Sequence, residues 1–215
     1  ARARAEDRGV IRVLLADDHQ IVRDGLRRIL AGQADLEVAA AAANGDEALA
    51  LVRAQDFDVA VIDLSMPGLS GIDLVKRLRL EKPALKLLVL SMHGEQQYAA
   101  RALKAGASGY LNKDSAAGQL IGALRKIAAG GVHVSEAAAA GLIHGRADGA
   151  PHERLSDREF EVFKLLAGGV SPTDIAEQLH LSVKTVSTHK ARILDKLGIG
   201  GTAELVRYAL EHKLL

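Results

Sequence analysis

Short apolar runs alternate with amphipathic segments between about residue 10 and residue 130, and this alternation restricts the fold more than any other feature of the chain. Each run is short and mostly apolar, which is typical of strands buried on both faces of a sheet. Five runs have this character: 10–16, 38–42, 59–62, 85–90 and 108–111. The segments between and after them place apolar residues at helical spacing. Strands that alternate with helices predict a doubly wound, five-stranded parallel sheet.

A second, smaller region begins at residue 155 and has no strand pattern. Polar residues that favour helix N-termini precede its apolar stripes. They are Ser156, which forms a capping box with Glu159, then Ser171, Ser182 and Thr202. The second and third helices are separated by a tight turn at His180 and Leu181, which predicts a helix-turn-helix. The region is therefore predicted to be an all-α, four-helix domain.

Between the two regions the chain has the composition of a linker. Gly130 and Gly131 close the first region, and the pattern of 136–143 is compatible with a short helix. Glycine, proline and polar residues then dominate 144–153, as in connecting segments. We therefore predict a first domain over 10–130, a linker over 131–154 and a second domain over 155–215.

The composition excludes several kinds of protein. The chain has no cysteine, so disulfides, thiolate zinc sites and a cysteine nucleophile are excluded. Residues 1–9 lack the apolar core of a signal peptide, and the apolar runs fall short of the ~20 residues that span a bilayer. We expect a cytoplasmic protein without a membrane partner. The net charge is only +1, so any contact with nucleic acid must use local positive charge.

Polar side chains follow four of the five predicted strands. Asp17 and Asp18 follow the first strand, Asp63 the third, Ser91 the fourth and Lys113 the fifth. Ligands of an open parallel sheet bind outside the carboxyl ends of its strands, so these side chains are expected to meet. Three carboxylates held together need a proton or a cation, and a hard divalent ion such as Mg²⁺ suits oxygen ligands.

This group of residues has the chemistry of a phosphoryl-transfer site. Asp63 can act as a carboxylate nucleophile, Lys113 can neutralise phosphoryl oxygens and Ser91 can donate a hydrogen bond to them. Taken singly, each residue also has a simpler interpretation. Asp18 alone could cap the first helix, and a lone Ser91 or Lys113 could be an ordinary turn hydroxyl or solvated charge.

Positive charge in the second region is concentrated on its third helix. Residues 182–197 carry four basic residues against one acidic residue, whereas 151–215 as a whole carries nine of each. At 100° per residue, Val186, Ile193 and Leu197 share one face, and Lys184, Thr188 and Ala191 lie opposite. Such a helix could enter the major groove of DNA. The simpler alternative is a solvated cationic face.

The first region resembles the receiver domains of two-component response regulators, which have a flavodoxin-like fold. The resemblance covers about residues 10–130 and is carried by four segments: LADDH at 15–19, DLSMPG at 63–68, LSM at 90–92 and AGASGYLNKD at 105–114.

The resemblance to receivers implies a role for each residue of the pocket. Asp63 would be the phosphoacceptor, and Asp17, Asp18 and the backbone carbonyl of Ser65 would join it as Mg²⁺ ligands. Ser91 and Lys113 would contact the phosphate and act in switching. Tyr110 would occupy the aromatic switch position, although it could equally be an ordinary half-buried tyrosine.

The second region resembles the LuxR-type DNA-binding domain over residues 155–212. The resemblance is carried by the stretch LSDREFEVFKLLAGGVSPTDIAEQLHLSVKTVSTHKARILDKLGI. Together with the receiver, it is similar to the NarL/FixJ class of response regulators. It implies base-facing positions at Ser187, Thr188 and Ala191, and phosphate contacts mostly at Lys184, Thr185, Lys190 and Arg192. Ala191 can only touch an apolar edge such as a thymine methyl.

Two further features of the LuxR-type region have alternative interpretations. His189 lies near the predicted buried side of the third helix, so we interpret it as a packed structural residue and not as a base reader. The last helix, 202–212, corresponds to the dimerisation helix of the family on DNA. Its simpler role is to complete the core of the domain.

These resemblances imply a DNA-binding transcription regulator. A sensor histidine kinase would phosphorylate Asp63 with Mg²⁺, and phosphorylation would control homodimerisation and binding to double-stranded promoter DNA, with RNA polymerase as a further partner. The protein would be no enzyme apart from self-phosphotransfer and autodephosphorylation.

Two other functions remain to be considered. One is a haloacid-dehalogenase-like enzyme that uses an aspartyl-phosphate, but the Asp-x-Asp loop of such enzymes is Asp17-Asp18-His19 here. The other is a DNA-binding protein whose receiver fold is not phosphorylated or senses a small ligand.

Overall fold

The computed structural model describes residues 9–66, 69, 71–92, 95–135, 150–212 and 214–215. They belong to two compact units, Ala1–Ile143 and His144–Leu215. The possible helix at 136–143 and most of the predicted linker, 136–149, lie outside the described residues. No helix among the described residues is long and apolar enough to cross a membrane.

The first unit is a five-stranded, all-parallel sheet with helices between the strands. The strands are β1 (Ile11–Ala16), β2 (Leu36–Ala42), β3 (Val59–Asp63), β4 (Lys86–Ser91) and β5 (Gly109–Asn112). The helices are α1 (Gln20–Ala31), α2 (Gly45–Ala54), α3 (Gly71–Glu81), α4 (Glu95–Lys104) and α5 (Ala116–Ala128). The strand order is β2-β1-β3-β4-β5, so the predicted doubly wound parallel sheet is confirmed.

Burial explains why the central strands are apolar throughout. Every residue of β3 is buried, and β4 is buried from Leu87 onward. β2 lies at an edge and contains exposed and half-buried positions. One core joins the sheet to α1 and α5, with Val13, Leu88 and Leu124 fully buried in it. Because both faces of the central strands are covered, their ends are fixed firmly relative to one another.

A short segment after α5 covers the free edge of β5. The backbone N–H of Tyr110 donates to the carbonyl of His133 at 2.8 Å, and the N–H of His133 donates to the carbonyl of Ser108 at 3.1 Å. Gly109 forms a parallel bridge with His133. The sequence analysis assigns His133 to the linker, but the structure pairs it with the sheet. Backbone pairing of this kind leaves no side-chain pattern in so short a segment.

Glycine is required at residue 109 because His133 approaches so closely. A Cβ atom at this position would lie 2.8 Å from the His133 carbonyl oxygen and 3.2 Å from its Cβ. We therefore expect Gly109→Ala to lower the free energy of unfolding by about 1–3 kcal/mol through overpacking. Thermal or urea unfolding measures this change.

The matched control for Gly109 is Gly122→Ala. Gly122 is exposed inside α5, and a Cβ there would meet no atom within 4 Å. The control should stabilise the protein by up to about 1 kcal/mol, since alanine favours helix interiors over glycine. Equal effects of the two variants would show that the edge contact does not constrain residue 109.

The described residues of the second unit form four α-helices: α6 (Asp157–Ala167), α7 (Pro172–Gln178), α8 (Val183–Leu197) and α9 (Thr202–Glu211). Ser156, Ser171 and Ser182 each accept a hydrogen bond from a backbone N–H in the first turn of the helix that follows. The capping box between Ser156 and Glu159 is complete. Gly198 ends α8 with a left-handed conformation, φ 67°. The predicted all-helical domain with a helix-turn-helix, α7 and α8, is confirmed.

The second unit begins earlier than the pattern of its helices indicates. Pro151–Arg154 forms a 3-10 turn, although the sequence analysis assigns it to the linker. His152 is buried there, and its backbone N–H and Nδ1 lie 3.3 and 3.0 Å from the Tyr208 hydroxyl oxygen on α9. Proline and polar residues hide this contact from sequence reasoning, because its partner lies more than 50 residues away.

Candidate functional site

The carboxyl ends of β1, β3 and β5 bring two buried carboxylates and one ammonium together. Asp17 and Asp63 are 2% and 1% exposed. Lys113 Nζ lies 2.7 Å from Oδ2 of Asp17 and 2.7 Å from Oδ2 of Asp63. The three side chains come from residues 46 or more apart along the chain, and the parallel sheet is what aligns them. The predicted meeting of Asp17, Asp63 and Lys113 is thus observed.

Backbone groups also hold the two buried carboxylates. The N–H of His19 donates to Asp17 Oδ1 at 2.9 Å, and the N–H of Ser65 donates to Asp63 Oδ1 at 3.1 Å. Arg23 on α1 donates from its guanidinium to the Asp17 backbone carbonyl at 2.6 Å. Each carboxylate therefore keeps one oxygen fixed by the backbone while the other oxygen lies beside Lys113.

The pocket balances burial against charge. Burial raises the pKa of Asp63, and Asp17 adds to this rise. Lys113 opposes it, but the net pKa remains above the ordinary value. Burial alone would lower the pKa of Lys113. Its contacts with Asp17 and Asp63 outweigh burial and raise that pKa. Lys113 is therefore a firmly held cation, and Asp63 is a carboxylate that a second positive charge would stabilise further.

The donor set fits a hard divalent cation. Ligand atoms of Asp17, Asp18, His19 and Asp63 all lie within 4.8 Å of one another. Asp18 Oδ1 is a buried oxygen, and its close polar neighbour is the His19 ring nitrogen Nδ1 at 2.8 Å. Carboxylate oxygens suit Mg²⁺, whereas imidazole suits transition metals. The carbonyl of Ser65 as a further ligand stays a prediction.

Sequence reasoning missed His19 and Arg23. His19 directly follows Asp18, and its ring is 64% exposed. The adjacency in Asp17-Asp18-His19 is the only signal in the sequence that could have suggested a role for the ring. Arg23 carries no motif signal, because its contact is with the main chain of Asp17.

Ser91 and Tyr110 are both fully buried. Asp63 is aligned with Leu90, and Ser91 with Asn112, so Ser91 ends β4 between Asp63 and the strand that precedes Lys113. Tyr110 lies on β5. It is fully buried, whereas the simpler alternative assumes a half-buried tyrosine. The switching roles of both residues stay predictions.

In the second unit, α8 presents the side chains that the sequence assigns to DNA. Five of them are exposed: Lys184, Ser187, Thr188, Ala191 and Arg192. Thr185 and Lys190 are half-buried. Val186, Ile193 and Leu197 are buried on the opposite face, as predicted. The hydroxyl groups of Ser187 and Thr188 donate to carbonyls one turn earlier in α8, at 2.9 and 3.0 Å. Their exposed oxygens can still accept from a ligand.

His189 is half-buried beside the core of the second unit. Burial lowers its pKa, and the nearby carboxylate of Glu159 opposes that shift only in part. Its Nδ1 is buried and has no hydrogen-bond partner among the described residues. A neutral, inward-facing ring favours the packed structural role that the sequence indicates.

A metal-binding prediction follows from the geometry of the pocket. Asp18→Asn should weaken Mg²⁺ binding by at least about tenfold, because an amide replaces one of the charged oxygen ligands. Isothermal titration calorimetry on the full chain measures the affinity. Asp24→Asn, on the exposed side of α1 beside Arg27, removes a carboxylate outside the pocket and should leave the affinity unchanged. Equal affinities of all three proteins would refute the proposed ligand set.

Two family descriptions match the chain. Residues 13–125 match the response regulator receiver domain, and residues 153–209 match the bacterial regulatory proteins of the luxR family. The oxygen regulatory protein NreC of Staphylococcus haemolyticus is 39% identical, over 95% of this chain and 99% of the relative. The response regulator UvrY of Escherichia coli strain K12 is 34% identical, over 95% and 96%.

Solved structures give the same result. RcsB, a response regulator of Salmonella typhimurium, is 30% identical with a TM-score of 0.71, over 93% of this chain and 96% of that chain. RcsB of Salmonella enterica serovar Typhimurium, bound to the promoter rprA in the presence of the phosphomimetic BeF3-, is 29% identical with a TM-score of 0.66. That comparison covers 93% of this chain and 98% of the RcsB chain.

Proposed function

Since this chain belongs to the response regulators of the NarL/FixJ class, with a receiver domain and a LuxR-type DNA-binding domain, we propose that a sensor histidine kinase phosphorylates it on Asp63. Phosphorylation then controls homodimerisation and the binding of α8 to double-stranded promoter DNA. One observation carries the proposal: Asp63 is 1% exposed, yet its carboxylate lies 2.7 Å from Lys113 among three potential metal ligands.

The residues of the pocket support this chemistry. A carboxylate oxygen of Asp63 attacks the phosphorus of the donor, the bond from phosphorus to the leaving nitrogen breaks, and an acyl phosphate forms. Asp17, Asp18 and Asp63, with the carbonyl of Ser65, would hold Mg²⁺. The ion would neutralise phosphoryl charge and so favour in-line transfer. Lys113 would move its hydrogen bond from the Asp63 carboxylate to a phosphoryl oxygen.

The same pocket would also support autodephosphorylation. Water attacks the acyl phosphate, releases inorganic phosphate and restores the Asp63 carboxylate. Ser91 lies on the neighbouring strand and would donate its hydroxyl hydrogen to the phosphoryl group. Ser91 and Tyr110 would respond to the gain or loss of the phosphoryl group. Both are buried in packed surroundings, which change between discrete arrangements and do not deform continuously.

The comparisons favour a regulator over the aspartyl-phosphate enzyme considered from the sequence. Both matched families and the relatives reported above are regulators. In this proposal the protein catalyses only its own phosphorylation and dephosphorylation. It acts in the cytoplasm, with RNA polymerase as a further partner.

The proposed phosphoacceptor can be tested by intact-mass measurement after incubation with acetyl phosphate and Mg²⁺. The unmodified chain should gain the mass of one phosphoryl group, and Asp63→Asn should gain none, because an amide cannot form the acyl phosphate. Asp73→Asn, exposed in the first turn of α3, serves as the control and should be labelled normally. Normal labelling of Asp63→Asn would reject the assignment.

The residues of α8 would have two different roles in DNA binding. Ser187, Thr188 and Ala191 face the bases. Lys184, Thr185, Lys190 and Arg192 mostly contact phosphates. A dimer would present two such helices to half-sites centred about 10 base pairs, or a multiple of a helical turn, apart. The exposure of the five outward residues supports a role of this face in DNA binding, since they form one continuous surface of α8.

The two roles predict different mutant behaviour. Lys184→Ala should weaken binding to every duplex and reduce the slope of log affinity against log salt concentration by about 1. Thr188→Ala should change the preference at particular base pairs and leave the slope unaltered. Fluorescence anisotropy at several salt concentrations measures both. Arg28→Ala removes an exposed charge from α1 as the control. A salt slope unaffected by Lys184→Ala would remove Lys184 from the phosphate contacts.

A further inference from the structure

Glu159 is a buried carboxylate of the second unit, and its side chain connects two helices. It is 4% exposed and lies in the first turn of α6. Its Oε2 accepts from the backbone N–H of Ser156 at 2.7 Å, which completes the capping box. The same oxygen accepts from Lys196 Nζ, on α8, at 2.6 Å. The start of α6 is therefore joined to the end of α8 by one oxygen atom.

Lys196 reaches from α8 to the buried carboxylate of Glu159. Its side chain is 36% exposed, and its ammonium also lies 3.4 Å from the backbone carbonyl of Arg154. At 100° per residue, Lys196 lies about 80° from the buried Val186 and about 40° from the exposed Arg192, at the border between the two faces of α8. Of the four basic residues that make α8 cationic, Lys196 is thus the one held against a buried carboxylate of the same unit.

Glu159 keeps its charge in this environment. Burial alone would raise its pKa, but the hydrogen bonds from Lys196 and Ser156 outweigh burial and lower it. A charged oxygen that accepts two hydrogen bonds has a directional preference, which apolar packing lacks. Val186, Ile193 and Leu197 bury one face of α8, and the Glu159–Lys196 pair joins the last turn of α8 to the first turn of α6.

We infer that Glu159 and Lys196 are positioning residues for DNA binding, and that Lys196 acts through Glu159 and not through a phosphate. The inference rests on the proposed function and deepens it, since it names the contact that orients the recognition helix. Buried ion pairs often contribute little net stability but can select one arrangement among several. In this unit the selected arrangement is the angle at which α8 presents Lys184, Thr188 and Arg192.

A double-mutant cycle on the full chain, phosphorylated with acetyl phosphate and Mg²⁺, tests this inference. The variants are E159Q, K196M and the double variant. The probes are a duplex that the unmodified chain enriches from a randomised pool and a duplex of scrambled sequence. Each single variant should weaken binding to the enriched duplex by about tenfold or more, since either change breaks the pair. The double variant should bind no worse than the weaker single variant, because the two residues act through one contact.

The salt dependence separates positioning from phosphate contact. All three variants should keep the salt slope of the unmodified chain on the scrambled duplex. K196R retains the cation and should bind the enriched duplex within about twofold of the unmodified chain, which keeps the test valid if K196M does not fold. K184M, exposed on the same helix, is the matched control. It should lower the slope by about 1, and its effect should multiply with that of E159Q.

Three results would overturn the inference. The first is that E159Q and K196M each bind the enriched duplex as tightly as the unmodified chain does. The second is that the effects of the two substitutions on affinity multiply in the double variant. The third is that K196M lowers the slope of log affinity against log salt concentration by about 1. The last two together would make Lys196 a phosphate contact. If the unmodified chain enriches no duplex while it accepts a phosphoryl group, the proposed DNA-binding function fails, and this inference fails with it.

Discussion

The ammonium of Lys113 is the group on which the receiver pocket depends. Asp17 and Asp63 are almost completely buried, and two such carboxylates repel each other strongly unless a positive charge joins them. Lys113 supplies that charge at 2.7 Å from both. To do so it reaches from the end of β5 past the end of β4, because β4 separates β5 from β3 in the sheet. Any event that changes the charge on Asp63 must therefore also change the contacts of Lys113.

The rigid sheet holds the residues of the pocket in fixed positions relative to one another. The strands that carry the pocket are buried along most of their length, so their ends cannot drift independently. Ser91 ends the strand between Asp63 and Lys113, and Tyr110 lies three residues before Lys113 on β5. The backbone of Tyr110 also holds His133, the first described contact of the chain beyond α5 with the sheet. Lys113 and His133 are therefore connected through the short strand β5.

Most of the fold was accessible from the sequence because local signals carry it. The apolar runs of β1, β3 and β4 and the serine caps of α6, α7 and α8 each act within a few residues. The pocket was accessible for a different reason, since strand ends of a parallel sheet meet at one edge whatever their separation in sequence. The missed pairings at the two domain borders depend on tertiary contacts. His133 pairs through its backbone, and His152 meets Tyr208 from a segment with linker composition.

Lys196 shows the same limit within a correctly predicted helix. The count of positive charges on α8 is right, but counting cannot distinguish a cation that faces solvent from one that faces Glu159. Only the packing of α6 against α8 makes that distinction.

We propose that the phosphorylation state of Asp63 controls the affinity of α8 for DNA. The most direct measurement is the dissociation constant of the full chain for one enriched duplex at one salt concentration. It is taken with and without acetyl phosphate and Mg²⁺, for the unmodified chain and for Asp63→Asn. The account predicts that the phosphodonor strengthens binding by the unmodified chain and has no effect on Asp63→Asn. An unmodified chain that binds DNA equally well with and without the phosphodonor, although its mass shows that it is phosphorylated, would contradict the account.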